Sequence, residues 1–560
     1  MTTEDMAHAG RFSPAWLVTL VIAAAAIIGG AVLLAAEPSN LPDAVRRLDA
    51  QRLQIEAEQR SLTEQAAGIR REASELERRR QELLRTLDME AAAIAAKEQE
   101  NQQQAAKQAE ALASGAAEIE HILRAGGQWV SFTDEIAPLL RSRCVACHSP
   151  REPGGGHVLT TYAGLFAVGA NGPAVAVGDP ASLLCEVVAN GSMPKDGEPL
   201  SPAEIDLICR WVALGARLDA GAEATQLLVR IMPRPPQPAP PPHYAAALPV
   251  SALAFDASGS ELVSSGYHEV LRWKLVRSPA EGGDSSLAAE LVARVDDLAE
   301  RVHGLAFSAD GTRLAVAAGT PGVIGEVSLL AAGSTAESDA ESNERSSLGL
   351  ADDGFLAVAF SPDGSRLAAA AADTTLRLYD PATGEQVAER SDHADWVQAI
   401  AFSPDGKQIV SVSRDTTAKI VDVSAGTLQT TFSGHGELVT AVCWLDDTLV
   451  ASGGDDGVVR LWKADSGKEV RKIEGFRGGI EGLCLLSDGR LAVAEGGGRV
   501  RLHAVADGKL LQEVQARESP ITTLAASRDS RLLAVGSLDG TITLLTLDGS
   551  TAPLTWQAAP

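Results

Sequence analysis

The sequence predicts a multidomain chain in which a transmembrane helix and an α-helical coiled-coil stalk precede a small all-α domain and an all-β propeller of about seven blades. Three observations carry this prediction. Residues 15–36 contain no charged side chain, apolar side chains recur at every seventh position over residues 41–83, and seven similar segments follow one another from residue 248 onward. At 560 residues the chain is long enough to bury several separate cores.

The first element is an anchor predicted over residues 15–36, AWLVTLVIAAAAIIGGAVLLAA. An uncharged stretch of this length crosses the hydrocarbon layer of a bilayer as a helix. A cleaved signal peptide is the alternative, but its apolar core is usually shorter, and Leu34 with Ala36 is a poor cleavage site. We therefore expect an uncleaved, single-pass anchor in the inner membrane, with residues 1–14 in the cytoplasm.

A helical stalk is predicted over residues 41–123. The side chains at every seventh position are Leu41, Leu48, Ile55, Leu62, Ile69, Leu76 and Leu83. This repeat is typical of a coiled coil and so of a possible homo-oligomer. The companion positions four residues later are only half apolar, and a single, solvated amphipathic helix is the alternative.

A compact segment follows over residues 129–220, and the proline-rich residues 233–243, PRPPQPAPPPH, predict a stiff, extended linker after it. Beyond the linker, the repeats predict a propeller over residues 245–556, because four short strands per unit of about 40 to 45 residues are typical of propeller blades. The residues that align between the seven units are Phe255, Phe307, Phe360, Phe402, Trp444, Leu485 and Ala526.

The repeats resemble WD40 repeats through LRWK (271–274), LRLYD (376–380), VRLWK (459–463) and Gly434-His435. The resemblance implies seven blades and a platform that docks other proteins. It also implies that aspartates before the third strands, which are Asp373, Asp415, Asp456 and Asp539, serve structural hydrogen-bond networks. We expect the most complete network from His435, Ser452, Asp456 and Trp462.

The compact segment contains Cys144-Val-Ala-Cys147-His148, the CxxCH pattern of covalent c-type haem attachment. Two cysteines form thioether bonds to the haem, and the histidine that follows becomes an iron ligand. A thioredoxin-like dithiol, half of a zinc site and a structural disulfide are the alternatives. The sequence therefore predicts one covalently attached haem c, with Cys144, Cys147 and His148 as cofactor-binding residues.

A second iron ligand is predicted at Met193, the only methionine of residues 129–220. Methionine as the second axial ligand raises the reduction potential of a haem iron. A core methionine beside a turn is the alternative interpretation. His157, in PGGGHVL, is the rival ligand, although a histidine on a glycine-rich loop is more often a surface residue.

The segments FTDEIAPLLRSRCVACH, LTTYAGL, GPAVAVGDPASLL, GSMP and PLSPAEIDLICRWVALGA resemble the planctomycete-type cytochrome c domain. The resemblance implies a small helical haem domain with His148 as proximal and Met193 as distal iron ligand. Because c-type haem is attached outside the cytoplasm in bacteria, it also implies that the C-terminal bulk lies in the periplasm or another extracytoplasmic space. Lys195 departs from the family, which often has a second proline there.

The closing helix of this domain has a clear start. Ser201, Pro202 and Glu204 together form a serine cap, a proline in the first turn and a capping-box glutamate. Cys185 and Cys209 stand at positions where ordinary core residues are expected. They either pair as a disulfide, which an oxidising compartment permits, or remain two buried thiols.

The charge balance excludes one class of partner. Lys and Arg number 48 against 74 Asp and Glu, for a formal net charge of −26, so we expect no nucleic-acid binding. An acidic surface of this kind keeps a protein soluble and attracts a basic redox partner.

These features predict a membrane-anchored, extracytoplasmic mono-haem cytochrome that transfers one electron and docks redox partners through its propeller. An iron with two protein ligands has no open position, so we expect no catalysis of bond chemistry and assign no catalytic residues. One alternative is an envelope scaffold or haem sensor whose main function is binding by the propeller. Another is a redox enzyme of the cytochrome-plus-propeller type, but the propeller histidines show no clustered signature.

Overall fold

The structure is a computed structural model that describes residues 41–150, 152–195, 197–279, 285–332, 345–549 and 551–559. The chain divides into two compact units, with the boundary between Ala116 and Ala117. The second unit contains both the helical domain and the propeller.

The predicted anchor requires a correction. Residues 15–36 lie outside the described part of the chain, and no helix within the described part is long and apolar enough to cross a membrane. The long helix that is described, α1 (Leu41–Ala125), is rich in charged side chains, which are costly to place in hydrocarbon. The transmembrane helix in the predicted fold class is therefore wrong. The predicted single-pass location in the inner membrane depended on that helix and is wrong as well.

Helix α1 is a single continuous helix of 85 residues. Pairs of opposite charge one turn apart stabilise it locally, as in the 2.7 Å contact of Arg79 with Glu75. The side chains of Leu62 and Ile69 on the heptad seam are 64% and 67% exposed. Since no second helix packs on this seam among the described residues, the predicted coiled coil is not supported.

The helical domain is built from short elements around one apolar core. They are, in chain order, a π-helical turn (Phe132–Ile136), α2 (Ala137–Arg143), two 3-10 turns (Gly154–Gly156 and Ala163–Phe166), strands β1 (Val168–Gly169) and β2 (Gly172–Pro173), α3 (Leu183–Ala189), α4 (Pro202–Ala213) and α5 (Leu228–Ile231). Phe132, Leu140, Ile208 and Trp211 are almost fully buried in the core. Trp211 is the largest of these side chains, and it lies in the aromatic part of the core.

Two helix starts in this domain follow from local sequence. Pro138 lies in the first turn of α2, where its missing N–H costs no helical hydrogen bond. At the start of α4, Ser201 Oγ accepts from the backbone N–H of Glu204, and Glu204 Oε2 accepts from the N–H of Ser201 at 2.6 Å. The predicted capping box is therefore confirmed.

The propeller has seven blades, each a four-stranded antiparallel sheet of consecutive strands, as predicted. The first three blades are β3 (Leu253–Phe255), β4 (Glu261–Ser265), β5 (Val270–Pro279) and β6 (Ser285–Val295); β7 (Val302–Phe307), β8 (Arg313–Thr320), β9 (Ile324–Ala331) and β10 (Ser346–Ala351); and β11 (Phe355–Phe360), β12 (Leu367–Ala371), β13 (Leu376–Tyr379) and β14 (Gln386–Arg390). The fourth and fifth blades are β15 (Val397–Phe402), β16 (Gln408–Ser413), β17 (Ala418–Asp422) and β18 (Leu428–Phe432); and β19 (Val439–Trp444), β20 (Leu449–Gly454), β21 (Val459–Lys463) and β22 (Glu469–Ile473). The last two blades are β23 (Ile480–Leu485), β24 (Arg490–Glu495), β25 (Arg499–Ala504) and β26 (Leu510–Gln515); and β27 (Ile521–Ala526), β28 (Leu532–Ser537), β29 (Thr541–Thr546) and β30 (Leu554–Gln557).

The ring closes between the seventh and first blades. Thr522 Oγ1 donates to the carbonyl of Val250 at 2.5 Å, and the N–H of Val250 donates to the carbonyl of Ser537. Apolar side chains of both blades, among them Leu253 and Ile542, share one cluster. Because each blade is built from consecutive strands, this packing rather than a shared strand holds the two ends of the ring together.

The helical domain packs against the outer strands of the second and third blades. Arg141 of α2 forms an ion pair with Asp352 at 3.0 Å, and Arg230 of α5 donates to Gln386 Oε1 of β14 at 2.7 Å. Arg234, at the start of the proline-rich segment, contacts the buried carboxylate of Glu326 at 3.0 Å. The cations thus all come from the helical side, and their acceptors lie on the propeller.

Candidate functional site

The two cysteines and the histidine of the CxxCH pattern lie on one hydrogen-bonded turn at the end of α2. The N–H of Cys144 donates to the carbonyl of Leu140, and the N–H of His148 donates to the carbonyl of Cys144 at 3.1 Å. The Cys147 side chain is exposed, whereas that of Cys144 is half-buried against the core. Burial raises the pKa of the Cys144 thiol to about 11.

His148 is held through its backbone and by a close glycine. Its carbonyl accepts from the N–H of Leu159 at 2.8 Å, and its side-chain Nδ1 is buried with no hydrogen-bond partner among the described residues. A Cβ on Gly154 would lie 3.0 Å from His148 Cε1 and 3.2 Å from Nδ1. The loop of residues Gly154–Gly156 therefore covers the Nδ1 edge of the His148 imidazole.

His157 is not a surface residue, so that expectation from the sequence is wrong. The residue is only 7% exposed, and neither ring nitrogen has a partner in the described structure. Its ring centroid lies 6.4 Å from that of His148. The sequence feature that could have indicated this position is the glycine run before His157. Gly155 and Gly156 adopt left-handed φ values of 62° and 77°, which turn the chain back towards His148.

Met193 lies in the turn after α3, and its N–H donates to the carbonyl of Val187 at 3.0 Å. Its side chain is 36% exposed, so the alternative of a core methionine is wrong. The methionine in the core is instead Met232. The described contact of Met193 is with α3 and not with the Cys144–His148 turn.

An aromatic cluster lies in the same core that contacts Cys144. The rings of Phe132 and Tyr162 meet edge to face at 5.0 Å, and Trp211 packs 5.3 Å from Phe132. Tyr162 donates its hydroxyl to the carbonyl of Ala216 at 2.7 Å, which satisfies that polar group. The cluster gives the thiol turn an apolar, water-excluding wall.

Cys185 and Cys209 are free thiols on the neighbouring helices α3 and α4. Burial, together with a hydrogen bond to the Cys209 thiol, raises the pKa of Cys185 to about 12. Within the residues that the structure describes, no three His, Cys, Asp or Glu side chains gather into a metal site.

The propeller contains the predicted structural network in its fifth blade. His435 Nδ1 lies 3.0 Å from Asp456 Oδ2, and its Nε2 lies 2.9 Å from Ser452 Oγ. Trp462 Nε1 donates to the same Ser452 Oγ at 3.0 Å. In the fourth blade His393 similarly contacts Asp415. These histidines and aspartates link strands, so their role is structural.

A helical domain with a CxxCH turn and a seven-bladed propeller together define a cytochrome c-like domain joined to a WD40 propeller. Residues 144–197 match the family described as Planctomycete cytochrome C. Residues 349–380, 384–422, 426–463 and 508–544 match the family WD domain, G-beta repeat. Both resemblances identified from the sequence are thereby confirmed, and they fit a haem protein with a platform for protein interactions.

The repeats of the family are offset from the blades. The match over residues 384–422 begins before β14, the outer strand of the third blade, and ends with β17 of the fourth.

No curated protein matches this chain. The chain is similar to the solved WD40 beta propeller domain of Doa1, with 17% identity over 55% of this chain and 95% of that one, at a TM-score of 0.46.

Proposed function

We propose that the protein is a one-electron carrier whose haem is attached to Cys144 and Cys147 and ligated by His148, with Met193 as the second iron ligand. The observation that carries the proposal is the match to the cytochrome family, which begins at Cys144, where two thiols and an imidazole share one turn. A bound haem would supply reversible one-electron oxidation and reduction at its iron.

The residues present fit such a group. The exposed thiol of Cys147 is available for a thioether bond, and the half-buried Cys144 adjoins the aromatic cluster. A metal-ligating imidazole donates its other N–H to a neighbouring group or water, and the buried Nδ1 of His148, which has no partner among the described residues, is available for such a bond. The exposed Met193 leaves its thioether sulfur free for a ligand role.

The propeller is the docking platform in this proposal. The ion pairs of Arg141 and Arg234 fix the helical domain against its second and third blades, so a partner bound to the ring is held at a defined position from the thiol turn. The net charge of −26 favours a partner with a basic surface.

The test is to produce the full chain in a host with c-type maturation machinery and to look for haem that stays with the polypeptide on a denaturing gel. We expect haem in the wild type and none in Cys144→Ala/Cys147→Ala. The matched control is Cys443→Ala/Cys484→Ala, which removes two partly buried thiols of the propeller and should keep the haem. A wild type without covalent haem contradicts the proposal.

A further inference from the structure

We propose that His157 is a positioning residue of the haem site, which shares a buried water with Nδ1 of His148 and thereby tunes the iron ligand. The inference rests on the proposed function and extends it to a residue that the CxxCH pattern does not include. Three buried ring nitrogens that have no hydrogen-bond partner among the described residues lie close together here, namely Nδ1 of His148 and both ring nitrogens of His157.

The distances favour a bridging water. The two ring centroids are 6.4 Å apart with their planes at 63°, and no direct hydrogen bond joins the two side chains. A buried water typically makes about three hydrogen bonds to otherwise unsatisfied polar groups. Nitrogen atoms of both rings supply such partners at this place.

The loop geometry places His157 on the side of His148 away from a bound metal. Gly154 lies against the Nδ1 and Cε1 edge of His148, and the N–H of His157 donates to the carbonyl of Gly154 at 3.1 Å. His157 thus belongs to the turn that covers Nδ1, which leaves Nε2 as the iron-binding nitrogen. The side chain is therefore assigned as a partner of the proximal ligand and not as an axial ligand itself.

A second glycine fixes the ring in this position. A Cβ on Gly169 would lie 2.4 Å from Cε1 and from Nε2 of His157. The backbone of β1 therefore approaches the imidazole more closely than any side chain permits. Because Gly169 lies outside the left-handed region, Gly169→Ala displaces the ring of His157 without straining the backbone.

A hydrogen bond from Nδ1–H makes a ligating imidazole more basic and stabilises the ferric iron. Loss of His157 should therefore raise the reduction potential. At a fixed ambient potential, we expect the ratio of oxidised to reduced haem to fall about tenfold. For a one-electron couple this corresponds to a reduction potential that is about 59 mV higher.

The experiment is a redox titration of the haem-loaded full chain with absorption spectra of both states, in wild type, His157→Ala, His157→Gln and Gly169→Ala. The control is His121→Ala, which removes an exposed histidine of α1. We expect raised potentials in His157→Ala and Gly169→Ala, partial recovery in His157→Gln, and an unchanged low-spin ferric spectrum throughout.

Two outcomes overturn the inference while haem attachment through Cys144 and Cys147 stands. One is covalent haem with an unchanged potential in both His157→Ala and Gly169→Ala. The other is loss of the low-spin ferric spectrum in His157→Ala, which would make His157 an axial ligand. A wild type that carries no haem defeats the proposed function as well, so the two failures are distinguishable.

Discussion

At the residue scale, Met193 is an apolar side chain held at the surface, where packing gives it little stabilisation. We predict that Met193→Ala keeps the covalent haem, lowers the reduction potential and raises the affinity of added imidazole about tenfold or more, because a coordination position opens. Titration of the ferric spectrum with imidazole measures this. Met89→Ala, which removes an exposed methionine of α1, should behave like the wild type. Equal imidazole affinities in all three proteins would eliminate Met193 as a ligand.

The buried His435 predicts a pH dependence of propeller stability. Burial lowers its pKa below the ordinary value of 6.5, because the charged imidazolium loses hydration. As the pH falls below 6.5, the imidazole takes up a proton in the unfolded chain before it does so in the folded propeller. The contribution of the buried, neutral His435 to the free energy of unfolding is therefore complete above pH 6.5 and is lost as the pH falls through the folded-state pKa.

We expect His435→Gln to unfold about 2 kcal/mol more easily at neutral pH, because Asp456 and Ser452 both lose their hydrogen bond to the buried imidazole. Its free energy of unfolding should also fall less than that of the wild type between about pH 7.5 and about pH 5. Urea unfolding at both pH values measures this, with the exposed His243→Gln as control. An identical pH dependence in His435→Gln and wild type would remove His435 as the source.

At the element scale, one carboxylate joins the two ends of the helical domain. Asp219 lies beyond α4, and it accepts from the N–H of Thr133 at 2.7 Å and from Trp129 Nε1 at 3.1 Å. It therefore satisfies donors at the start of the π-helical turn that leads into α2.

We predict that Asp219→Ala lowers the local stability of the π-helical turn by about 2 kcal/mol, since two donors lose their acceptor. Hydrogen exchange over Phe132–Ile136, followed by mass spectrometry, should become faster in this variant. Asp206→Ala, which removes an exposed aspartate of α4, should leave the exchange unchanged. Unchanged exchange in Asp219→Ala would show that the turn does not depend on this carboxylate.

Whole-molecule organisation depends on the contacts between the helical domain and the propeller. Arg234 bonds both the buried Glu326 and, at 2.8 Å, the carboxylate of Asp297. Arg345 of the propeller pairs with the same two carboxylates, so removing Arg234 leaves both charges compensated but breaks the ion pairs that tie the proline-rich segment to the propeller.

We predict that Arg234→Ala loosens this attachment, with roughly tenfold faster proteolysis in the proline-rich residues 233–243, a change that corresponds to about 1.4 kcal/mol. Limited proteolysis of the full chain measures the effect, and the exposed Arg210→Ala is the control. Cleavage at the wild-type rate would mean that Arg141 and Arg230 suffice to hold the two parts together.

Prediction from the sequence succeeded where the pattern is local or repeated. The propeller repeats, the capping box of α4 and the network around His435 follow from short-range rules, because strand alternation, helix capping and turn aspartates each need only neighbouring residues. The same reasoning gave a coiled coil that the structure does not support, since heptad spacing alone does not supply a partner for an exposed seam.

The sequence by itself determined the seven blades, the helical domain and the CxxCH turn, because these are set by periodicity and by residues a few positions apart. Only the tertiary structure decided that His157 is buried beside His148, that Met193 is exposed, and that three arginines attach the helical domain to the propeller. The physical reason is that burial and long-range ion pairs depend on how distant segments pack. No local pattern encodes that packing.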